Sequence, residues 1–208
     1  MRSAVRDRLK EKVFSEKIEK GKIIPTREEC LGLMSQAGML NHIMAHSLKV
    51  TKVALFIATE LNRKGQRIDL SLVEAASLLH DLTKTVCLKT KEDHAQTGSQ
   101  LLKKMGYERV GEIVAEHIHL SKEQDSSFIS EEEVVNYADK RVRHDQIVSL
   151  AERFRDLMDR YGKNQKAFDL MEELEKATFK IETKIFSILK IEPDDLQILQ
   201  NESELKVI

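Results

Sequence analysis

All seven histidines of this 208-residue chain fall between positions 42 and 144. Two of them stand directly before an aspartate, and their surroundings separate the two pairs. His144-Asp145 lies in Arg141-Val142-Arg143-His144-Asp145-Gln146, which reads as solvated surface. His80-Asp81 follows the apolar run Ala75-Ala76-Ser77-Leu78-Leu79. Ionisable groups that end a buried segment need partners, because an unpaired charge withdrawn from water is costly. A divalent cation is an efficient partner: it neutralises the carboxylate and takes the imidazole lone pair. His46 and Asp139 add to the set, the first on an apolar helix stripe, the second after Tyr137-Ala138. Mixed imidazole and carboxylate donors suit Mn²⁺, Fe²⁺, Co²⁺, Ni²⁺ or Zn²⁺ better than Ca²⁺, with Mg²⁺ also admitted.

These residues need elements to hold them. His46, Val50, Val53, Ala54, Ile57 and Leu61 recur at three- and four-residue steps, which predicts a helix over 41–62 with His46 facing inward. Asp69 or Ser71 opens the next helix, with Ser71 and Glu74 as a capping box; it is apolar almost all round, as a central helix is, and ends at His80-Asp81. Residues 83–93 and 120–129 are polar and read as loops. Helices are expected from about His94 to Met105 and from about Glu108 to His117. Thr26 with Glu29, Ser130 with Glu133 and Ser149 with Glu152 have the capping-box spacing at three further helix starts. Residues 1–20 read as a charged helix, and 165–190 as a long helix with Leu170, Leu174, Ile181, Ile185 and Ile188 on one side. Pro193 opens a short last one.

The order His46…His80-Asp81…Asp139 resembles the HD superfamily of metal-dependent phosphohydrolases, whose motif is H…HD…D. The flanking segments Ala76-Ser77-Leu78-Leu79-His80-Asp81-Leu82-Thr83-Lys84 and Tyr137-Ala138-Asp139-Lys140 also look like that family. The resemblance covers roughly residues 40–150. It implies an all-α, compact multi-helix bundle with added helices at both ends: an N-terminal extension over 1–38, the HD domain over 39–162, and a C-terminal extension over 163–208 packed on the same globule. In members that bind two metals, further histidines lie between the HD pair and the last aspartate. His94 and His117 match these, which implies that Asp81 bridges two ions. His119, two residues from His117, would face elsewhere on a regular helix and is left out. Lys84 stands at HDxxK spacing, where related proteins contact the substrate phosphate. Lys140, Arg141 and Arg143 form a basic cluster, read either as a solvated face or as a rim that attracts phosphate, with Lys140 as the candidate phosphate contact.

The activity implied is hydrolysis of a phosphoester of a nucleotide or another small phosphorylated metabolite. One or two divalent first-row ions would lower the pKa of a bound water from 15.7 toward ~7. The resulting hydroxide would attack phosphorus in line with the leaving oxygen, with Asp81 and Lys84 in the catalytic roles. The alternative is a non-catalytic module of the same fold that senses a ligand or has a regulatory role. The GYP motif of cyclic-di-GMP phosphodiesterases is absent after Asp139, which argues against that substrate.

Composition narrows the classes further. Charged residues make up 33% and hydrophobic residues 41%, with aromatics at 5%, no Trp, two Pro and eight Gly. That balance favours long amphipathic helices over sheets. A net charge of −1 offers no global field for nucleic acid or acidic membranes. No apolar run reaches the ~18 residues of a membrane span. The two cysteines, Cys30 and Cys87, lack metal or disulfide spacing and are expected as reduced thiols. A cytoplasmic protein is the expectation, with the end segments as candidates for a homodimer surface or a lid.

Overall fold

The computed structural model describes residues 24–121 and 127–200. The helix expected over 1–20 and the middle of the loop expected over 120–129 lie outside the described residues. The described chain is all-α: α1 (Arg27–Gln36), α2 (Asn41–Arg63), α3 (Leu70–Leu79), α4 (Lys84–Thr90), α5 (His94–Lys104), α6 (Glu108–Glu116), α7 (Glu131–Lys140), α8 (Leu150–Tyr161), α9 (Gln165–Leu189) and a 3-10 helix (Pro193–Gln200). Two short antiparallel strands, β1 (Val142–Arg143) and β2 (Gln146–Ile147), form a hairpin between α7 and α8.

The centre of the bundle is α3, which packs against α1, α2, α6 and α7. Seven of its ten residues, between Leu72 and Leu79, are buried, as a helix apolar almost all round requires. The inward stripe of α2 (Val50, Val53, Ala54, Ile57 and Leu61) is wholly buried against it. Each such Val, Ile or Leu contributes roughly 1.5–3 kcal/mol by leaving water, so the stripe fixes α2, and with it His46, against α3.

Helices α5 and α6 pair closely because Gly111 removes a side chain at their contact. A Cβ there would lie 2.8 Å from the backbone oxygen of Ser99. Gly98 plays a lesser part, facing Val114 Cγ1 and Thr83 Oγ1 at 3.3 and 3.5 Å from its would-be Cβ. This approach sets His94, at the start of α5, beside His117, just after the end of α6.

Thr26–Glu29, Ser130–Glu133 and Ser149–Glu152 all form full capping boxes. Four sequence expectations need correction. The start of α3 is capped by Asp69, whose Oδ1 accepts from Leu72 N at 3.1 Å, and not by a Ser71–Glu74 box. Glu74 instead accepts from Arg27 Nη1 on α1 at 2.7 Å. The stretch 83–93 is not all loop: it holds α4, a polar seven-residue helix with only Cys87 buried, stopped by Lys91 in the left-handed region (φ 63°). On α9, Leu174, Ile181 and Ile185 are buried but Leu170 is exposed, because the first turns of that long helix run past the core. Finally, 141–146 is not simply solvated surface. Arg141 is fully buried, donating to Val148 O, Tyr137 Oη, Glu182 and Pro193 O.

Candidate metal centre

His80 and His117 share one local device. Each follows directly on a helix, α3 or α6, at the C-cap position. The last carbonyls of a helix have no partner within it. The imidazole Nδ1 of His80 donates to Ser77 O at 2.8 Å, and that of His117 donates to Val114 O at 2.7 Å. A proton on Nδ1 leaves Nε2 with its lone pair in the neutral ring. Both Nε2 atoms therefore point into the bundle as donors toward a cation. His46, inside α2, reaches the same state by another route: its Nδ1 donates to the carbonyl of His144 at 2.9 Å. That carbonyl is presented by the β1–β2 turn, where His144 takes a left-handed conformation (φ 58°).

Six residues converge. His46 Nε2 lies 3.0 Å from Asp139 Oδ1, and His80 Nε2 lies 3.4 Å from Asp81 Oδ2 and 3.6 Å from Asp139 Oδ1. On the other side of Asp81, its Oδ1 lies 3.2 Å from His94 Nε2 and 3.8 Å from His117 Nε2. His94 and His117 bring their Nε2 atoms to 3.3 Å. Two ligands each ~2.0–2.2 Å from one ion sit roughly 3.0–3.6 Å apart, so these spacings are of the right size. Two groups could each hold an ion, His46–His80–Asp81 and Asp81–His94–His117, with Asp81 in both.

The fit rests on more than spacing. His80 Nε2 and Asp81 Oδ1 are fully buried and have no hydrogen-bond partner among the described residues. Buried polar atoms are rarely left so. Burial works against charge on His80, yet Asp81 and Asp139 outweigh it and raise its pKa. Burial also opposes ionisation of Asp81, but His80 and Lys84 hold its carboxyl well below the usual range. Asp139 is held low in the same way by Lys140, His46 and His80. Burial, with the charge of His80, keeps His117 well below the ordinary histidine value. Buried carboxylates among imidazole Nε2 atoms are a donor set of the kind first-row metals take.

Two lysines border the cluster and differ. Lys84, the first residue of α4, donates from Nζ to Asp81 Oδ2 at 2.7 Å, and about a third of its side chain faces solvent (32%). Burial opposes its charge, but Asp81 and Asp139 raise its pKa. Lys140 is not on a solvated face or an open rim. It is 4% exposed and donates to the carbonyl of His117 at 2.5 Å, with Asp139 Oδ2 at 3.1 Å. Its amine is thus engaged within the cluster, where it ties α7 to the end of α6. Asn136 Nδ2 joins it, donating to Glu116 O and His117 O at 2.9 and 3.1 Å. Neither support was visible in the sequence, nor was the carbonyl of His144, since the pair it belongs to reads as surface. The His144 ring is indeed exposed, as are His42 and His119, and none of the three belongs to either group.

A family model described as HD domain matches residues 43–163, more than half of the chain. A protein of Thermoplasma volcanium named tRNA (cytidine(56)-2'-O)-methyltransferase is 35% identical over 105 residues, which cover 50% of this chain and 29% of that protein. The chain therefore spans less than a third of that relative. An uncharacterized protein of Methanocaldococcus jannaschii is 27% identical over 143 residues, covering 59% of this chain and 79% of its own length. No solved structure matches the chain at a significant level.

Proposed function

Because this chain belongs to the HD domain family, we propose that it is a metal-dependent phosphohydrolase acting on a nucleotide or another small phosphorylated metabolite. The observation that carries the reading is Asp81: a buried carboxylate with one oxygen toward His80 and the other toward His94 and His117. His46, His80, His117, His94, Asp81 and Asp139 are the residues that would hold the ions. Divalent ions there would supply Lewis acidity and an acidified water for attack on phosphorus.

The chain's own groups do the rest. The Nδ1–carbonyl bonds fix three imidazoles, so no reorientation is needed when substrate arrives. Lys84 places an ammonium next to Asp81 on the exposed side, where it can take a phosphoryl oxygen and offset charge that develops as the ester bond breaks. Hydrolysis adds water across the P–O bond, and the leaving oxygen ends with a proton. Lys140 and Asn136 act as positioning residues by holding the backbone at His117.

The test is a panel of p-nitrophenyl phosphate, bis(p-nitrophenyl) phosphate and nucleoside phosphates with Mn²⁺-loaded protein. Turnover that a chelator abolishes and added metal restores is the expected result. The match to under a third of a protein named for methyl transfer favours a second reading, a non-catalytic module that binds a ligand. Stoichiometric metal with no hydrolysis across the panel would decide for that reading.

A further inference from the structure

We infer that Thr83 is a positioning residue that sets the affinity of the ion held between Asp81, His94 and His117. This rests on the metal-centre reading above and goes beyond it: the two ions are unequal, and one hydroxyl governs the weaker.

The four imidazoles are not held alike. His46, His80 and His117 each donate from Nδ1 to a backbone carbonyl, at 2.9, 2.8 and 2.7 Å. Their side chains are 7%, 0% and 2% exposed. Among the described residues the His94 ring meets Asp81 Oδ1 at 3.2 Å and His117 Nε2 at 3.3 Å but no carbonyl, and 22% of its side chain is exposed. An imidazole whose second nitrogen is bonded is oriented before the metal arrives; one without that bond must give up rotamer freedom on binding. The group His46–His80–Asp81 has both imidazoles fixed in this way, and the group Asp81–His94–His117 has one.

What holds His94 is its backbone. Thr83 Oγ1 donates to His94 O at 2.9 Å, and Thr83 is 5% exposed. Thr83 stands at the N-cap of α4, where a threonine hydroxyl ordinarily accepts from the first N–H groups of the helix. It makes no such bond here. Its carbonyl accepts from Val86 N and Cys87 N at 3.1 and 3.0 Å, so its backbone belongs to α4 while its hydroxyl reaches α5. Gly98 lies alongside, with a would-be Cβ 3.5 Å from Thr83 Oγ1. Asp93 shapes the same turn from within α5, its Oδ1 accepting from Ala95 N and Gln96 N at 2.8 and 3.1 Å. That bonding starts the helix and does not set its distance from Asp81. Thr83 does, because it follows Asp81 by two residues and ties that stretch of chain to the backbone of the histidine facing the carboxylate.

The experiment titrates the chelator-stripped full chain with Mn²⁺, counting free ion by electron paramagnetic resonance and following helicity by circular dichroism. The wild type should take up two ions in two steps, with the weaker step absent in His94→Ala. Thr83→Val removes the hydroxyl and keeps the branch, Thr83→Ala removes both, and Thr83→Ser keeps the hydroxyl; a folding defect in one of the first two leaves the other. Loss of the hydroxyl should weaken the second step about tenfold or more, in the range that supporting bonds around metal ligands command. The first step should change less than threefold, helicity should hold, and Thr83→Ser should restore the second step. Two unchanged steps in both hydroxyl-free variants would overturn the role of Thr83 and leave the metal centre standing. Equal weakening of both steps would also overturn it, since the bond would then support the fold and not one ion. A wild type with a single step that His94→Ala does not alter would overturn the second ion and Thr83 with it, while keeping the His46–His80–Asp81 group. A wild type that takes up no Mn²⁺ would sink the metal-centre reading itself.

Discussion

Lys84 is the residue whose role is most exposed to test. Its ammonium is paired with Asp81 Oδ2 from the more exposed side of that carboxylate. Removing the group changes only interactions made on the surface side of Asp81, while the imidazole supports remain. Loss of a positioned charge in a transition state costs about 10²–10³ in rate. Lys84→Ala should therefore lose kcat by that order while metal content, read by elemental analysis, stays at the wild-type level. A variant with wild-type kcat would remove Lys84 from the chemistry. The supporting residues are a different case. His80 and His117 owe their orientation to carbonyls three positions back, at the free ends of their own helices. His46 depends on a carbonyl 98 residues away. The first two orientations follow from local sequence, and the third exists only in the folded chain.

At the scale of elements, the pairing of α5 with α6 sets the distance between His94 and His117. Gly111 is the point of closest approach, with a backbone oxygen in the space a methyl group would need. Gly111→Ala must push the helices apart, at a cost of roughly 1–3 kcal/mol for overpacking. The prediction is a lower midpoint in denaturant unfolding together with loss of the metal equivalent bound by Asp81, His94 and His117. Wild-type stability and metal stoichiometry in that variant would show that the pairing does not tune the site. Much at this scale was legible beforehand. The stripe of α2, the apolar run of α3 and three capping boxes are periodic or local signals, and they appear as read. The fourth box failed because the helix already starts at Leu70 under an Asp69 cap, which leaves Ser71 inside its first turn, and Glu74 finds Arg27 across the bundle. Arg141 misled for a different reason. Its buried side chain meets Tyr137, Val148, Glu182 and Pro193, four positions scattered over more than fifty residues, and no local pattern announces such a meeting.

The hairpin shows how remote segments reach the site. Its Ile147 N and Asp145 O are held by the side chain of Gln200, and its Ile147 O by Gln197, both on the closing 3-10 helix. Lys49 and Lys52 of α2 donate to the carbonyls of Gln200 and Leu199 at 3.2 and 2.8 Å. The 3-10 helix therefore braces the turn that orients His46.

For the whole molecule, a net charge of −1 gives no long-range pull on an anion. On the proposed hydrolase reading, attraction of a phosphorylated substrate falls to Lys84 beside Asp81. Among the described residues no helix is long and apolar enough to cross a membrane. The six converging residues lie on α2, α5 and α7 and directly after α3 and α6, so the site exists only when the bundle is assembled. Asp81 belongs to both groups of residues that could hold an ion, so the proposed metal centre depends on it. The direct measurement is the metal content of the purified protein and of Asp81→Ala by inductively coupled plasma mass spectrometry, with circular dichroism on the same samples. One or two first-row ions per chain in the wild type, lost in Asp81→Ala with helicity unchanged, is the result expected. A wild type that takes up no metal, or an Asp81→Ala variant that retains its full complement, would contradict it.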